Sequence, residues 1–311
     1  MSSTGVSDES SVRVICGPTG AGKSALAMQL AERYGAVIIS ADSRQVYRGF
    51  DVGTAKPTMN DRERVPHRGL DVAEPSERYS AARWADQARN WINEANTMGK
   101  APLIVGGTGF YLRALTEPLF EAPPVDPLRR AALEDVFAGM STAELRRWCT
   151  TLDPGRAHLG RTQLTRAVET ALLSGERLSD LQRTKARAPG IGARYLVVDP
   201  GSRLGERLER RFDAMIADGW PHEVELLIRS VEGSAPAWKA SGYSVMREMV
   251  AGRVSPRDAK ERVIIETRQY AKRQRTWFRH QLDAALTTRV NPDDSSTELV
   301  LNQWWEGRAV A

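Results

Sequence analysis

Three short apolar runs, at 12–16, 37–40 and 102–106, each give way to a polar or glycine-rich stretch. Between them, 24–34 and 80–96 carry apolar side chains at helical spacing. In the second of these helices Trp84, Ala88, Trp91 and Ala95 share one face, so its tryptophans are expected to cover a sheet rather than to stack on bases. Strands alternating with helices predict an α/β fold, a parallel sheet flanked by helices. Ligands gather beyond the carboxyl ends of such strands, which makes loops 17–24, 42–47 and 106–111 expected neighbours despite their separation in sequence.

The pattern breaks at Glu117-Pro118 and through Pro123, Pro124 and Pro127. Helical periodicity over about 127–149 and 162–174 then predicts a helical insertion domain, placed at 121–189 and closed by Pro189, Gly190 and Gly192. Residues 195–198 read as a return to the sheet. Further helices are expected near 204–217, 221–229, 241–250 and 255–282, the last opened by Ser255 as N-cap with Pro256 and Asp258 in its first turn. The main unit is accordingly assigned to 12–120 and 190–290, with 1–11 a disordered lead and 291–311 a loose tail.

A chain of 311 residues, 41% hydrophobic, can bury one substantial core and a smaller second unit. Its formal charge of +5, from 44 basic against 39 acidic residues, is a weak global excess, so the placement of charge must decide. Between Arg257 and Arg279 eight basic residues face three acidic ones, a surplus of five that equals that of the whole chain. Such a helix can follow an RNA backbone, although it can equally be a solvated face. Two distant cysteines, Cys16 and Cys149, make neither a disulfide framework nor a metal cluster and suit a reducing cytoplasm. No apolar stretch reaches membrane-spanning length, and the polar start has no secretory-signal pattern, so no membrane partner is expected.

The chemistry begins directly after the first strand, with Gly17-Pro18-Thr19-Gly20-Ala21-Gly22-Lys23-Ser24. A Gly-x-x-x-x-Gly-Lys-Ser loop between strand and helix turns successive backbone N–H groups toward an anion; Lys23 can neutralise phosphate oxygens and Ser24 can help to hold magnesium. This predicts binding of a diphosphate or triphosphate without specifying ATP. After the second strand, Asp42 can take a proton from a nucleophile or hold magnesium through water, and Ser43, Gln45 and Tyr47 can read a polar edge. After the third, Gly106-Gly107-Thr108-Gly109 allows close backbone approach, and Thr108 offers a hydroxyl to a phosphate or leaving-group oxygen. Lys56 is either a counter-charge for phosphate or a solvated lysine. His67 and the other histidines form no zinc pattern.

Taken together, GPTGAGKS at 17–24, ADSRQVY at 41–47, DVGTAKP at 51–57, VGGTGFYLRAL at 105–115 and TRQYAKRQRTWFR at 267–279 resemble the tRNA dimethylallyltransferase (isopentenyl-tRNA transferase) family. The likeness spans about 12–118 and 203–282 and is thinner across the insertion. It implies transfer of a dimethylallyl group from dimethylallyl diphosphate to N6 of adenosine 37, in tRNAs that read codons beginning with U, with release of diphosphate. On matching motifs, Asp42 is the implied general base and Thr108 its catalytic partner. Gly17, Thr19, Gly20, Ala21, Gly22, Lys23, Ser24 and Arg211 are the implied diphosphate site, with Ser24 on Mg2+. The implied tRNA contacts are Asp42, Ser43, Arg44, Gln45, Thr108, Arg130, Gln163, Arg166, Lys239, Gly242, Lys272 and Arg273. The anticodon stem-loop is the implied macromolecular partner of a cytoplasmic, monomeric enzyme.

The chain departs from the family at 157–169, where Arg166, Ala167 and Glu169 match but a His-Pro-Asn-Asp run is absent and Gln163 stands near an expected arginine. A related transferase acting on free adenosine phosphate is chemically close but would not need the basic C-terminal region, and two other readings compete. An ATP-dependent small-molecule kinase accounts for 17–24 but leaves the basic C-terminal helix and the paired loops at 41–47 and 105–111 without a shared purpose. A noncatalytic RNA-binding protein accounts for the basic helix alone.

Overall fold

The computed structural model describes residues 11–117, 126–184 and 190–308; the expected lead at 1–10, the prolines at 118–124 and Pro189 lie outside them. Six parallel strands form one sheet in the order β3-β2-β4-β1-β5-β6: β1 (Val12–Cys16), β2 (Ala36–Ser40), β3 (His67–Arg68), β4 (Ala101–Gly106), β5 (Ala193–Val198) and β6 (Thr287–Val290). The register aligns Cys16 with both Gly106 and Val197, and Ser40 with Val105, so β1, β2, β4 and β5 end at one edge. β3 and β6 were not expected from sequence. Two and four residues are too short to show alternation, and it is the neighbouring strand that defines them.

Around the sheet lie α1 (Lys23–Tyr34), α2 (Met59–Arg64), α3 (Ala81–Thr97) and α4 (Gly109–Thr116). α1 stops at Gly35, which adopts the left-handed conformation that spares glycine a side-chain clash. On α3, Trp84 and Ala88 are fully buried; the Trp84 indole donates to Ser40 O at 2.9 Å and stacks on Tyr111 at 4.9 Å, which pins the end of β2 against α4. Burial of an aromatic ring of that size with its N–H satisfied contributes about 2–3 kcal/mol.

Residues 117–190 form a second compact unit. Its helices are α5 (Pro127–Gly139), α6 (Thr142–Leu152), α7 (Arg161–Ser174) and α8 (Leu178–Thr184), and Leu145, Cys149, Leu164, Val168 and Leu181 close a core of its own. The single helix expected over 127–149 is two, because Ser141 starts α6 with a capping box shared with Glu144.

The first unit resumes with α9 (Leu204–Ala217), α10 (Trp220–Ser230), α11 (Tyr243–Val250) and α12 (Pro256–His280), the last capped by Ser255 as expected. Residues 291–308 are not a loose tail. α13 (Thr297–Trp305) docks on β1 and α1, with Trp304 and Trp305 buried. The Arg13 guanidinium lies 4.5 Å from the Trp305 ring and donates to its carbonyl, and Tyr34 stacks on Trp305 at 4.7 Å. The docking depends on partners nearly 300 residues away, which no local periodicity could reveal.

Candidate active site

At the carboxyl edge of the sheet, Gly17 follows β1, Ala41 follows β2 and Gly107 follows β4, so three loops distant in sequence meet. Gly17, Gly20 and Gly22 all have positive φ, at 142°, 76° and 98°. A side chain at Gly17 would overlap the Val198 carbonyl, and a Cβ at Gly20 would come within 2.6 Å of Leu208. These glycines therefore let β5 and α9 close on the phosphate-type loop.

Two cavities, of about 760 and 580 Å³, open on this edge, and Thr19, Asp42, Thr54 and Arg211 line both. The first contains the loop residues Gly20, Gly22, Lys23 and Ser24. Its wall is α9, whose Arg207, Arg210 and Arg211 line the cavity together with Arg203, the residue that caps the helix start. The spacing of these arginines, three and four apart, was legible in the sequence as one helix face; only Arg211 was singled out there. Glu209 and Asp213, the acidic residues beside Arg211 on the same helix, pair with Arg268 at 2.7 Å and Lys260 at 2.5 Å.

Charge crowding marks the floor. Burial and the neighbouring Arg211 guanidinium lower the Lys23 ammonium to about 8, against a partial counterpull from Asp42. Burial likewise lowers Arg211, which Asp42 also stabilises in its charged form. Lys23 Nζ folds back to donate to Pro18 O at 2.8 Å. Such a site gains most from an arriving polyanion, whose charge lifts the repulsion between the cations. At the rim, Asp293 pairs with Arg207 and lies 3.4 Å from Arg203, and these contacts hold its carboxyl below the usual range. Asp293 comes from the segment expected to be loose.

In the second cavity Asp42, Ser43, Arg44 and Thr108 are brought together. One Asp42 oxygen accepts the Arg44 N–H at 2.8 Å. The Thr108 hydroxyl oxygen accepts the Ser43 N–H at 3.0 Å, and the Thr108 N–H donates to Ala41 O at 3.2 Å, so β2 and β4 deliver the carboxylate and the hydroxyl as one assembly. Tyr270 joins them from α12, its hydroxyl pushed up to about 12 by burial and by the charge of Asp42. Lys239 and Arg273 line the same cavity, whereas Lys272 is exposed on the outer face of α12.

Several expected contacts have other partners in the structure. The Gln45 amide donates to Thr54 O and Ala55 O, at 3.2 and 3.0 Å, and accepts from the Ser40 hydroxyl at 2.8 Å, so this head group braces the 51–57 loop. Lys56 is neither a solvated lysine nor a free phosphate counter-charge: its buried ammonium sits 2.6 Å from both Asp51 and Asp71. The same loop is held by Glu223, which accepts the N–H groups of Asp51 and Val52 at 2.8 and 2.6 Å and the Tyr243 hydroxyl at 2.6 Å. Gly242 is buried with φ +84°, where a Cβ would meet Trp220 at 2.6 Å; its visible work is turning the chain into α11. The Thr19 N–H, expected to face an anion, donates to Gln274 at 2.8 Å, and that of Ala21 turns back to Pro18 O at 3.3 Å. Within the insertion unit, Arg130 pairs with Glu169 at 2.6 Å, Gln163 caps α7 by accepting the Gly160 N–H at 3.1 Å, and Arg166 is exposed.

Known proteins carry the same arrangement of sequence. Residues 45–281 match the sequence model of a family described as IPP transferase, and residues 10–69 match one described as isopentenyl transferase. The chain is 39% identical over 286 residues to a tRNA dimethylallyltransferase of Cyanothece sp., covering 91% of this chain and 92% of that protein. With a tRNA dimethylallyltransferase of Halorhodospira halophila it shares 41% identity over 287 residues, 89% and 92% of the two chains. A solved tRNA isopentenylpyrophosphate transferase of Bacillus halodurans superposes with a TM-score of 0.67 at 29% identity over 96% of each chain.

Proposed function

This chain belongs to the tRNA dimethylallyltransferase (IPP transferase) family and transfers a dimethylallyl group to adenosine 37 of tRNA; on that premise we propose how its two cavities divide the work. The first cavity takes the diphosphate of dimethylallyl diphosphate and the second the extruded adenine. The observation that carries this reading is that Asp42 and Arg211 line both.

The N6 lone pair attacks C1 of the allylic donor, the C1–O bond breaks with its electron pair leaving on diphosphate, and the N6 proton passes to the Asp42 carboxylate. Delocalisation into the ring makes that amine a poor nucleophile. A positioned base therefore contributes about 10²–10⁴-fold to the rate. Negative charge grows on the leaving diphosphate as the bond stretches, and Lys23 and Arg211 stand where that charge develops. Thr108, fixed by Ser43, orients the amine or the bridging oxygen.

Magnesium is part of the proposal. Among the described residues no group of three or more His, Cys, Asp or Glu side chains could hold a metal ion. The Ser24 hydroxyl on the first cavity nevertheless fits magnesium, which keeps several waters and takes substrate phosphates as ligands. When bound it would supply further neutralisation of the leaving group.

The exposed Lys272 and the cavity-lining Arg273 and Lys239 would meet the anticodon stem-loop, with Arg166 of the insertion unit as a further contact. An anticodon loop lowers the cost of extruding the base because it is already partly unpaired. No helix of the described residues is long and apolar enough to cross a membrane. Incubation with labelled dimethylallyl diphosphate or labelled ATP, with and without unmodified tRNA, tests the reading. Label should enter RNA only from the isoprenoid, and mass spectrometry of the nucleosides should place it on N6; transfer from ATP would refute the assignment.

A further inference from the structure

Gln274 sits on the inner face of α12 with 6% of its surface exposed. Both ends of its amide are engaged: Oε1 accepts the Thr19 N–H at 2.8 Å, and Nε2 donates to Gly107 O at 2.8 Å. Thr19 belongs to the loop that receives the diphosphate, and Gly107 immediately precedes Thr108. One planar head thus spans the two loops between which the dimethylallyl group must move. A carboxylate could only accept and an ammonium could only donate, so the amide is the group that satisfies both loops at once. Gly107 is fitted to it, since a Cβ there would overlap the Gln274 amide nitrogen.

The same helix carries Lys272 and Arg273 two positions and one position earlier, the first exposed and the second lining the adenine-side cavity. Trp277 packs over Gly109, three positions along from Gln274, and Phe278 is buried beyond it. α12 is therefore anchored on the acceptor loop at both Gly107 and Gly109, and Gln274 extends that anchorage to the donor loop.

We propose that Gln274 is a positioning residue that sets the separation between the diphosphate loop and the Thr108 loop, and with it the distance between the allylic carbon and the adenine amine. The proposal rests on the transferase reading above. Its action is on alignment, since the amide is spent on backbone groups of the two loops. Reacting atoms must be held about 3–3.5 Å apart, and a misplacement of about 1 Å costs on the order of 10²-fold in rate.

Two variants perturb the bridge from opposite ends. Gln274→Met keeps length and volume while removing both hydrogen bonds; Gly107→Ala keeps Gln274 but drives its amide away from the loop. The full-length protein is assayed with dimethylallyl diphosphate and an unmodified anticodon stem-loop for kcat, both KM values, RNA affinity and Tm. The expected result is a kcat lower by about 10–100-fold in each variant, with donor KM and RNA affinity within about 3-fold of wild type. A packing role alone would lower Tm and leave kcat per folded molecule unchanged, and that outcome overturns the proposal, as would a loss confined to donor KM. Should the methionine variant fail to fold, Gly107→Ala carries the same test. Wild-type protein without transfer activity would sink the transferase reading itself, whereas active wild type with both variants within about twofold in kcat sinks only the positioning role.

Discussion

At the scale of single residues, the proposed mechanism gives the chemistry to one group and the holding of charge to others. Asp42 touches both cavities, while Lys23 and Arg211 crowd its phosphate side. Asp42→Ala is expected to lower kcat by about 10²–10⁴-fold while RNA affinity changes little, measured by label transfer beside filter binding. Equal losses in both would contradict its role as base.

Lys23 gives a pH prediction whose sign follows from its lowered value of about 8. Bound diphosphate favours the protonated ammonium, so affinity for inorganic diphosphate should fall as pH rises through about 8, and Lys23→Met should flatten that part of the profile. Titration calorimetry across this range checks it. For folding the sign is opposite. Between about 8 and the ordinary 10.5 the unfolded chain holds the extra proton, so this group's contribution to stability rises with pH across that window, and the buried charge is a standing cost below it.

At the scale of elements, α9, α12 and α13 each do something their own sequences only half disclose. α12 divides its work by face: Lys272 points outward, and Gln274 and Phe278 point in. Lys272→Glu should weaken RNA binding most at low salt and reduce the slope of log K against log salt by about 0.7–0.9 for each phosphate it no longer neutralises, with donor KM unchanged. A variant whose deficit ignores salt would place Lys272 outside the interface. α13 closes the sheet through Trp305, and Trp305→Ala should destabilise the protein by about 3–5 kcal/mol in chemical denaturation. It should also loosen the segment that delivers Asp293 to the Arg203 and Arg207 side chains.

At the scale of the whole molecule, the division into two compact units with separate cores separates two kinds of damage. Leu145→Ala, inside the core of the insertion unit, should reduce tRNA affinity while inorganic diphosphate still binds the sheet unit normally. Parallel loss of diphosphate binding would show that the units do not stand apart energetically.

What the chain determined by itself was whatever local pattern encodes. The glycines and Lys23 of 17–24 announce an anion loop because turn geometry and the helix start lie within a few residues of each other. The alternation of strand and helix predicts a parallel sheet and hence a common edge for Asp42 and Thr108. The motif set at 41–47, 51–57, 105–115 and 267–279 identifies the family. Tertiary structure decided which of those polar residues remain available. Gln45, Lys56 and the Thr19 N–H are taken up by partners 9, 5, 15 and 255 positions away, and a buried polar group left unpaired is costly, so such partners bind wherever the fold provides them. Only folding could choose among those possible pairings, just as it alone brought the 291–305 segment back to the first strand and the 17–24 loop, and set one glutamine between Thr19 and Gly107.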